Sequence, residues 1–361
     1  MGRASLAQPY DYEGCLLMPK VSLRRGVTLA AFVAATVLAS CTTPEVEAPP
    51  PPPPPPPLAP VSLNSSVAEA ASVYVTFVRD IGSIEASFQS ADAIQAAVRK
   101  GASYDVAQLS RGMIAYGSIL ALQSPQYVAS VRQYGTTPEL RQEMIGRIIA
   151  DPAYAATLPG TDAAVGLITA TIGRDITALT ALADRVEGDA YTIQERNDPR
   201  RRWATQNVLD REGRLAGAKS LSVPQLPSAE DSTRLFAAAH QGTGLDTLSA
   251  TRAAPHSPAI INSLAIAALA ALGAAGDEAK LNTDSLSYES GNEFCLNIAK
   301  LMLLQCLAAS RPNYEDMFCA GRHIIRDLAT CSAQYTGPLP VQTPVQTPVI
   351  QVATATDGAG K

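Results

Sequence analysis

Four cysteines near the C-terminus, Cys295, Cys306, Cys319 and Cys331, constrain the fold of this chain more than any other feature. In an exported protein an even-numbered set reads as two disulfides. Cys295 and Cys306 fall on one predicted helix, three turns and about 16 Å apart at a rise of 1.5 Å per residue. Bridged Cα atoms must lie within about 7 Å, so these two cannot bond to each other. Cys319 and Cys331 are separated similarly on the next predicted helix. Arg311-Pro312-Asn313 makes the turn between the two, with Asn313 placed to cap the second helix and Asp316 at its third position. Cys306 and Cys319 are nearly equidistant from that turn, and so are Cys295 and Cys331. The spacing therefore predicts an antiparallel helical hairpin with nested Cys295–Cys331 and Cys306–Cys319 disulfides. Zinc is the functional rival. Structural zinc sites bring two ligands within two to four residues, which none of these spacings does, and His323, four residues after Cys319, is weak support alone.

The chain upstream reads as helices with plain punctuation. Ser124-Pro125, Thr137-Pro138, Asp151-Pro152, Asp198-Pro199 and Ser257-Pro258 each set a capping side chain before proline. The oxygen of such a residue accepts from an orphan amide at a helix start, and proline suits the first helical position, where its missing N–H would go unpaired anyway. Gly101 and Gly135 fall where helices should stop. Between these marks apolar residues recur at three and four. Val67, Ala71, Tyr74, Val75, Val78 and Ile81 make one stripe, and Leu109, Met113, Tyr116 and Leu120 a second. A long helix is expected from about Asp162 to Arg196, with Leu167, Ile168, Ile172, Ile176, Leu179 and Leu182 on its face. No run alternates apolar and polar residues between turns, so no substantial sheet is expected. Aromatics are 5% of the residues and tryptophan occurs once. Together with abundant alanine, this suits close-packed helices with small side chains. The expected fold is all-α, an irregular multi-helix bundle ending in the stapled hairpin. Ser222-Val223-Pro224-Gln225-Leu226-Pro227-Ser228 breaks the pattern and is read as a boundary between subdomains 66–221 and 228–335. Ala259 to Ala275 is almost wholly apolar but short, and reads as a core helix rather than a membrane span. No fixed repeat period marks a solenoid.

The leader sets the compartment. Met18 to Arg25 is basic, Gly26 to Ala39 is apolar and uncharged, and small residues close the run, which is the order of a secretory signal. Asp11, Glu13 and Cys15 sit badly in a basic n-region, so Met18 reads as the true start of translation; the alternative is an unusually long leader. Leu38-Ala39-Ser40-Cys41 resembles the lipobox of bacterial lipoproteins. The resemblance covers Met18 to Cys41 only. It implies removal of the signal peptide, 1–40, and diacylation of Cys41, usually with N-acylation (palmitate is a typical chain). More than one acyl chain is what stable anchoring in a bilayer requires. In that family aspartate after the cysteine favours the inner membrane. Thr42 stands there, which points to the outer membrane, facing the periplasm.

Residues 41–65 form the acylated N-terminus and spacer, with Pro49 to Pro57 an unbroken proline run. Such a run favours a stiff polyproline II rod of about 3.1 Å per residue. The tail, 336–361, repeats Gln-Thr-Pro-Val and carries too few large apolar groups to form a core. A net charge of −5 without an extended basic patch argues against nucleic acid as a partner.

No catalytic constellation is visible. The three histidines, His240, His256 and His323, fall in no recognisable triad or His-Glu-x-x-His motif, and Gly-x-Ser-x-Gly is absent. Cell-wall lytic enzymes use a lone glutamate sometimes followed by serine, but Glu289-Ser290 lacks their companion motifs and reads as a helix start. Arg200, Arg201, Arg202 and Trp203 are the surface candidate, either a patch for anionic lipid or polymer or a solvated face paired with Glu195, Asp198, Asp210 and Glu212. No metal or cofactor is expected. The expectation is a non-enzymatic, membrane-anchored envelope lipoprotein. Acylated Cys41 would hold it in the bilayer, and its helical domain would engage a protein or cell-wall partner. The alternatives are an envelope hydrolase with an unrecognised site and an accessory subunit of an export or assembly machine.

Overall fold

The computed structural model describes residues 60–196 and 198–337. The leader, Cys41, the proline run and the tail beyond Gly337 lie outside the described residues. Among the described residues the chain is mostly helical, with two isolated bridges, Leu63 to Ala275 and Asn207 to Pro312, and no strand.

All five Ser/Thr/Asp-Pro pairs open a helical segment. Ser124 accepts from the Tyr127 amide at the start of α4 (Pro125–Tyr134), Thr137 from Leu140 at α5 (Pro138–Ala150), and Ser257 from Ile260 at α10 (Pro258–Ala271). Asp151 and Asp198 cap shorter 3-10 turns, Pro152–Thr157 and Pro199–Arg201. Upstream lie α1 (Ser65–Gly82), α2 (Ala91–Ala102) and α3 (Val106–Leu122), capped by Asn64, Ser90 and Asp105.

The long helix is α6 (Thr161–Glu195). By length and composition it could cross a membrane, yet Ile168, Ile172, Leu179, Leu182 and Val186 are buried in the protein core. Then come α7 (Arg202–Thr205), α8 (Arg211–Ser220), α9 (Ala229–Gln241) and, after α10, the short α11 (Lys280–Asp284). The hairpin consists of α12 (Ser290–Ala309) and a returning arm, α13 (Asn313–Ala320) and α14 (Asp327–Thr336), joined by a π turn over Gly321–Arg326.

The break at Ser222–Ser228 does not divide the core. α1 packs on both α3 and α9, α10 packs on α3, and α12 touches α3 and α8, so buried residues from both sides of the break form one cluster. The break itself is tied down. Gln108 donates to the Gln225 carbonyl at 2.7 Å and accepts from the Gln225 amide at 2.7 Å. The expected pair of subdomains is therefore one structural unit. At its centre, α10 lies against α3 and α14. The Ser263 hydroxyl meets the Ile114 carbonyl and the Tyr335 hydroxyl, each at 2.9 Å. Gly117 makes room for this contact, because a Cβ there would lie 1.8 Å from the Tyr335 oxygen.

The hairpin closes with Cys295–Cys331 and Cys306–Cys319, each with Cα atoms 5.7 Å apart. Its turn differs from expectation. Asn313 does not cap α13; its side-chain amide donates to the Trp203 and Gln206 carbonyls at 2.9 and 3.0 Å. Asp316 is fully buried and binds Arg214, Ser310 and Gln95. The turn is thus held by α7 and α8 across the chain, rather than by a local cap.

Candidate interaction surface

Helix α12 is apolar on two faces. Leu296, Ala299, Leu303 and Leu307 are buried in the core. On the opposite side Phe294, Ile298, Leu301 and Met302 are 66, 41, 48 and 39% exposed, joined by exposed Asn297, Gln305 and Ala308. From Phe294 to Ala309 the only charged side chain is Lys300, and it is buried. Single exposed apolar residues are ordinary; here four share one face of a helix with no charged side chain among them, which makes this face the candidate interaction surface.

Several contacts make this helix rigid. The two disulfides fix its flank to α13 and α14. Glu289 caps its start, accepting from the Gly291 and Asn292 amides at 2.9 and 2.6 Å, which gives the Glu289-Ser290 pair a structural role. The Lys300 ammonium donates to the Ala102 and Tyr104 carbonyls at 2.6 and 2.8 Å and to the Ser222 hydroxyl at 3.1 Å. It also sits 3.4 Å from the centre of the Tyr104 ring. Burial pushes its pKa down to about 7, opposed by the charge of Asp105. Its three donors are all engaged, two on carbonyls at the end of α2 and one on the Ser222 hydroxyl just after α8, so it acts as a clamp.

A cleft of about 370 Å³ lies among α1, α3, α6 and α9, with Tyr74, Val78, Tyr116 and Leu179 at its apolar walls and Arg79, Arg174 and Arg234 around them. Asp175 lines it, with the Arg174 guanidinium 3.9 Å away as its ion-pair contact. Burial raises the Asp175 pKa above the ordinary carboxylate value, and Arg174 opposes this. The other acid in the cleft, Asp246, is held by Arg174 at 2.7 Å and stays exposed. One half-buried acid beside an already neutralised one can receive a small polar ligand.

The residues singled out by sequence are dispersed. Arg201 pairs with Asp189, and Trp203 is half-buried against the core, leaving Arg200 and Arg202 exposed. His323 meets Asp327 at 3.0 Å, and Cys319, the other member of the conceivable zinc pair, is taken up in a disulfide. The His240 ring stacks near Phe236, and burial holds the His256 pKa down. Among the described residues no group of three or more His, Cys, Asp or Glu is placed to hold a metal. The outer stripe of α12 and the Asp175 cleft were not anticipated. The stripe had a signal in the sequence, because α12 carries large apolar residues in every quadrant, which one buried face does not need. No family model, curated protein or solved structure matches the chain.

Proposed function

We propose that this protein is a lipoprotein of the bacterial cell envelope, anchored by acylated Cys41, whose helical domain binds a protein partner through the outer face of α12. The lipobox-like Leu38-Ala39-Ser40-Cys41 and the proline run after it support the anchor and the spacer. Two disulfides agree with an oxidising compartment. The observation that carries the binding role is the rigid, uncharged stripe Phe294, Ile298, Leu301 and Met302. Apolar area without charge is what an interface core needs, since charges there must be desolvated. A helix immobilised by disulfides loses little further entropy on binding.

The two halves of this reading are tested separately. Cys41→Ala should abolish fatty-acid labelling and release the protein from the membrane fraction; unchanged labelling would remove the anchor. A photoreactive residue at position 301 should give a covalent protein adduct in intact cells, whereas one at exposed Glu143 should not. No adduct from position 301 would remove α12 as the binding face.

A further inference from the structure

The cleft among α1, α3, α6 and α9 carries its charges in two separate groups. In the first, two arginines share one carboxylate. Arg79 of α1 and Arg234 of α9 both donate to Asp231, at 2.8 and 3.1 Å, and Asp231 is buried outside the lining. Asp231 is the main counter-charge of Arg79; the weaker effects of Asp80 and Glu230 also come from outside the lining. Arg234 uses only Nη2 on this contact, so its other nitrogens are left to donate. In the second group the count is reversed, and two carboxylates share one arginine. Arg174 of α6 donates to Asp246 at 2.7 Å and stands 3.9 Å from Asp175. The Asp175 side chain is only 33% exposed, yet its carboxylate accepts no hydrogen bond among the described residues. A polar group drawn that far from water ordinarily has a partner.

With Asp231 counted, the three arginines Arg79, Arg174 and Arg234 meet the three aspartates Asp175, Asp231 and Asp246, so the cleft is neutral as a whole. Its charge is nevertheless separated, because no ion pair among the described residues joins Arg79 or Arg234 to Asp175 or Asp246. Tyr116 feels both groups. Burial pushes its pKa up to about 12; Asp175 and Asp246 add to this, while Arg234 and Arg174 oppose it. A simple anion would gain at Arg234 and be repelled at Asp175, and a simple cation would meet the reverse. A ligand that carries both charges gains at both groups.

We propose that this cleft binds a short zwitterionic peptide, its ammonium on Asp175, its carboxylate on Arg234 and an apolar side chain against Val78, Leu179 and Leu245, a role separate from that of the α12 face. A free amino acid holds both charges on one carbon. Two groups beyond ion-pair reach of each other call instead for the span of a dipeptide, at about 3.3–3.6 Å per residue. The volume, about 370 Å³, lies at the small end of the range for ligand pockets, about 300–1,000 Å³.

The test is isothermal titration calorimetry on the full-length protein in detergent, with alanyl-leucine as the probe. Alanyl-leucine should bind, and its N-acetylated and C-amidated forms should each bind about tenfold more weakly, the loss of one charged contact. Asp175→Asn should weaken alanyl-leucine by a similar factor and leave the N-acetylated form unchanged. Arg234→Gln should weaken alanyl-leucine and leave the amidated form unchanged. Both side chains are partly exposed, and circular dichroism verifies that both variants fold. No heat of binding from alanyl-leucine would overturn the proposal. So would equal affinity for the blocked forms, which would mean a site for one charge or none, and so would variants that weaken all three forms alike. Leucine binding as tightly as alanyl-leucine would overturn the peptide span.

Discussion

Asp316 shows how much of this fold rests on single buried charges. Its carboxylate is fully buried and paired with an Arg214 side chain that is 4% exposed, with Ser310 and Gln95 completing the shell. Removing one partner of such a pair strands the other charge in the core, which costs about 3–5 kcal/mol. Asp316→Ala should therefore lower stability by that order in urea unfolding, and the joint replacement of Asp316 and Arg214 by apolar residues should cost less than the single change. Asp175 offers the opposite case. Burial raises its pKa in the folded state, so its protonated form is favoured there. Its contribution is most favourable below the unfolded carboxylate pKa and is lost as pH rises through the folded value. Asp175→Asn should be more stable than the parent at pH 7, with the advantage shrinking toward pH 3, as measured by paired unfolding curves at both pH values. Asp316 was legible only as an acid near a helix start. Its partner Arg214 lies 102 positions away, and no local pattern connects them.

At the scale of elements, local chemistry was the readable part. Each Ser/Thr/Asp-Pro pair opens a segment because cap and proline act within one turn, and the nested disulfides follow from helical rise and a turn position. The π turn over Gly321–Arg326 was not readable, because a shift in hydrogen-bond register between α13 and α14 leaves apolar spacing nearly intact. The failed cap at Asn313 has the same origin: a tertiary acceptor pair on α7 and its following loop outcompetes a local amide. The disulfides themselves should differ in weight. Chain-entropy arguments give about 3 kcal/mol for closing a loop of 13 residues and about 4 kcal/mol for one of 36. Replacing Cys295 and Cys331 by serine should thus lower the unfolding midpoint more than replacing Cys306 and Cys319. Equal effects would mean that native-state packing outweighs loop closure.

For the molecule as a whole, the decisive fact is that helices from before and after Ser222–Ser228 complete one another. α9 covers α1, and α10 covers α3, so neither half can bury its apolar faces alone. Proline pairs and a lapse in helical spacing signalled a boundary, but such signals report where the backbone must leave a helix, not which cores it joins. The single tryptophan makes the consequence measurable. Trp203 lies before the break, with its carbonyl bound by Asn313 from the hairpin after it. If one core governs both halves, tryptophan fluorescence and far-ultraviolet circular dichroism should trace the same urea transition. Two independent subdomains would instead give a fluorescence midpoint set by the first half, offset from a biphasic dichroism curve. A single transition also bears on the binding face, because it means that α12 is presented by the stability of the entire domain. Gly117→Ala, which drives a methyl group into the Tyr335 hydroxyl at the α3–α10–α14 contact, should then weaken partner capture at α12 as the folded fraction falls. Restoring the folded fraction with an excluded osmolyte should restore the covalent adduct from a photoreactive residue at position 301 in parallel.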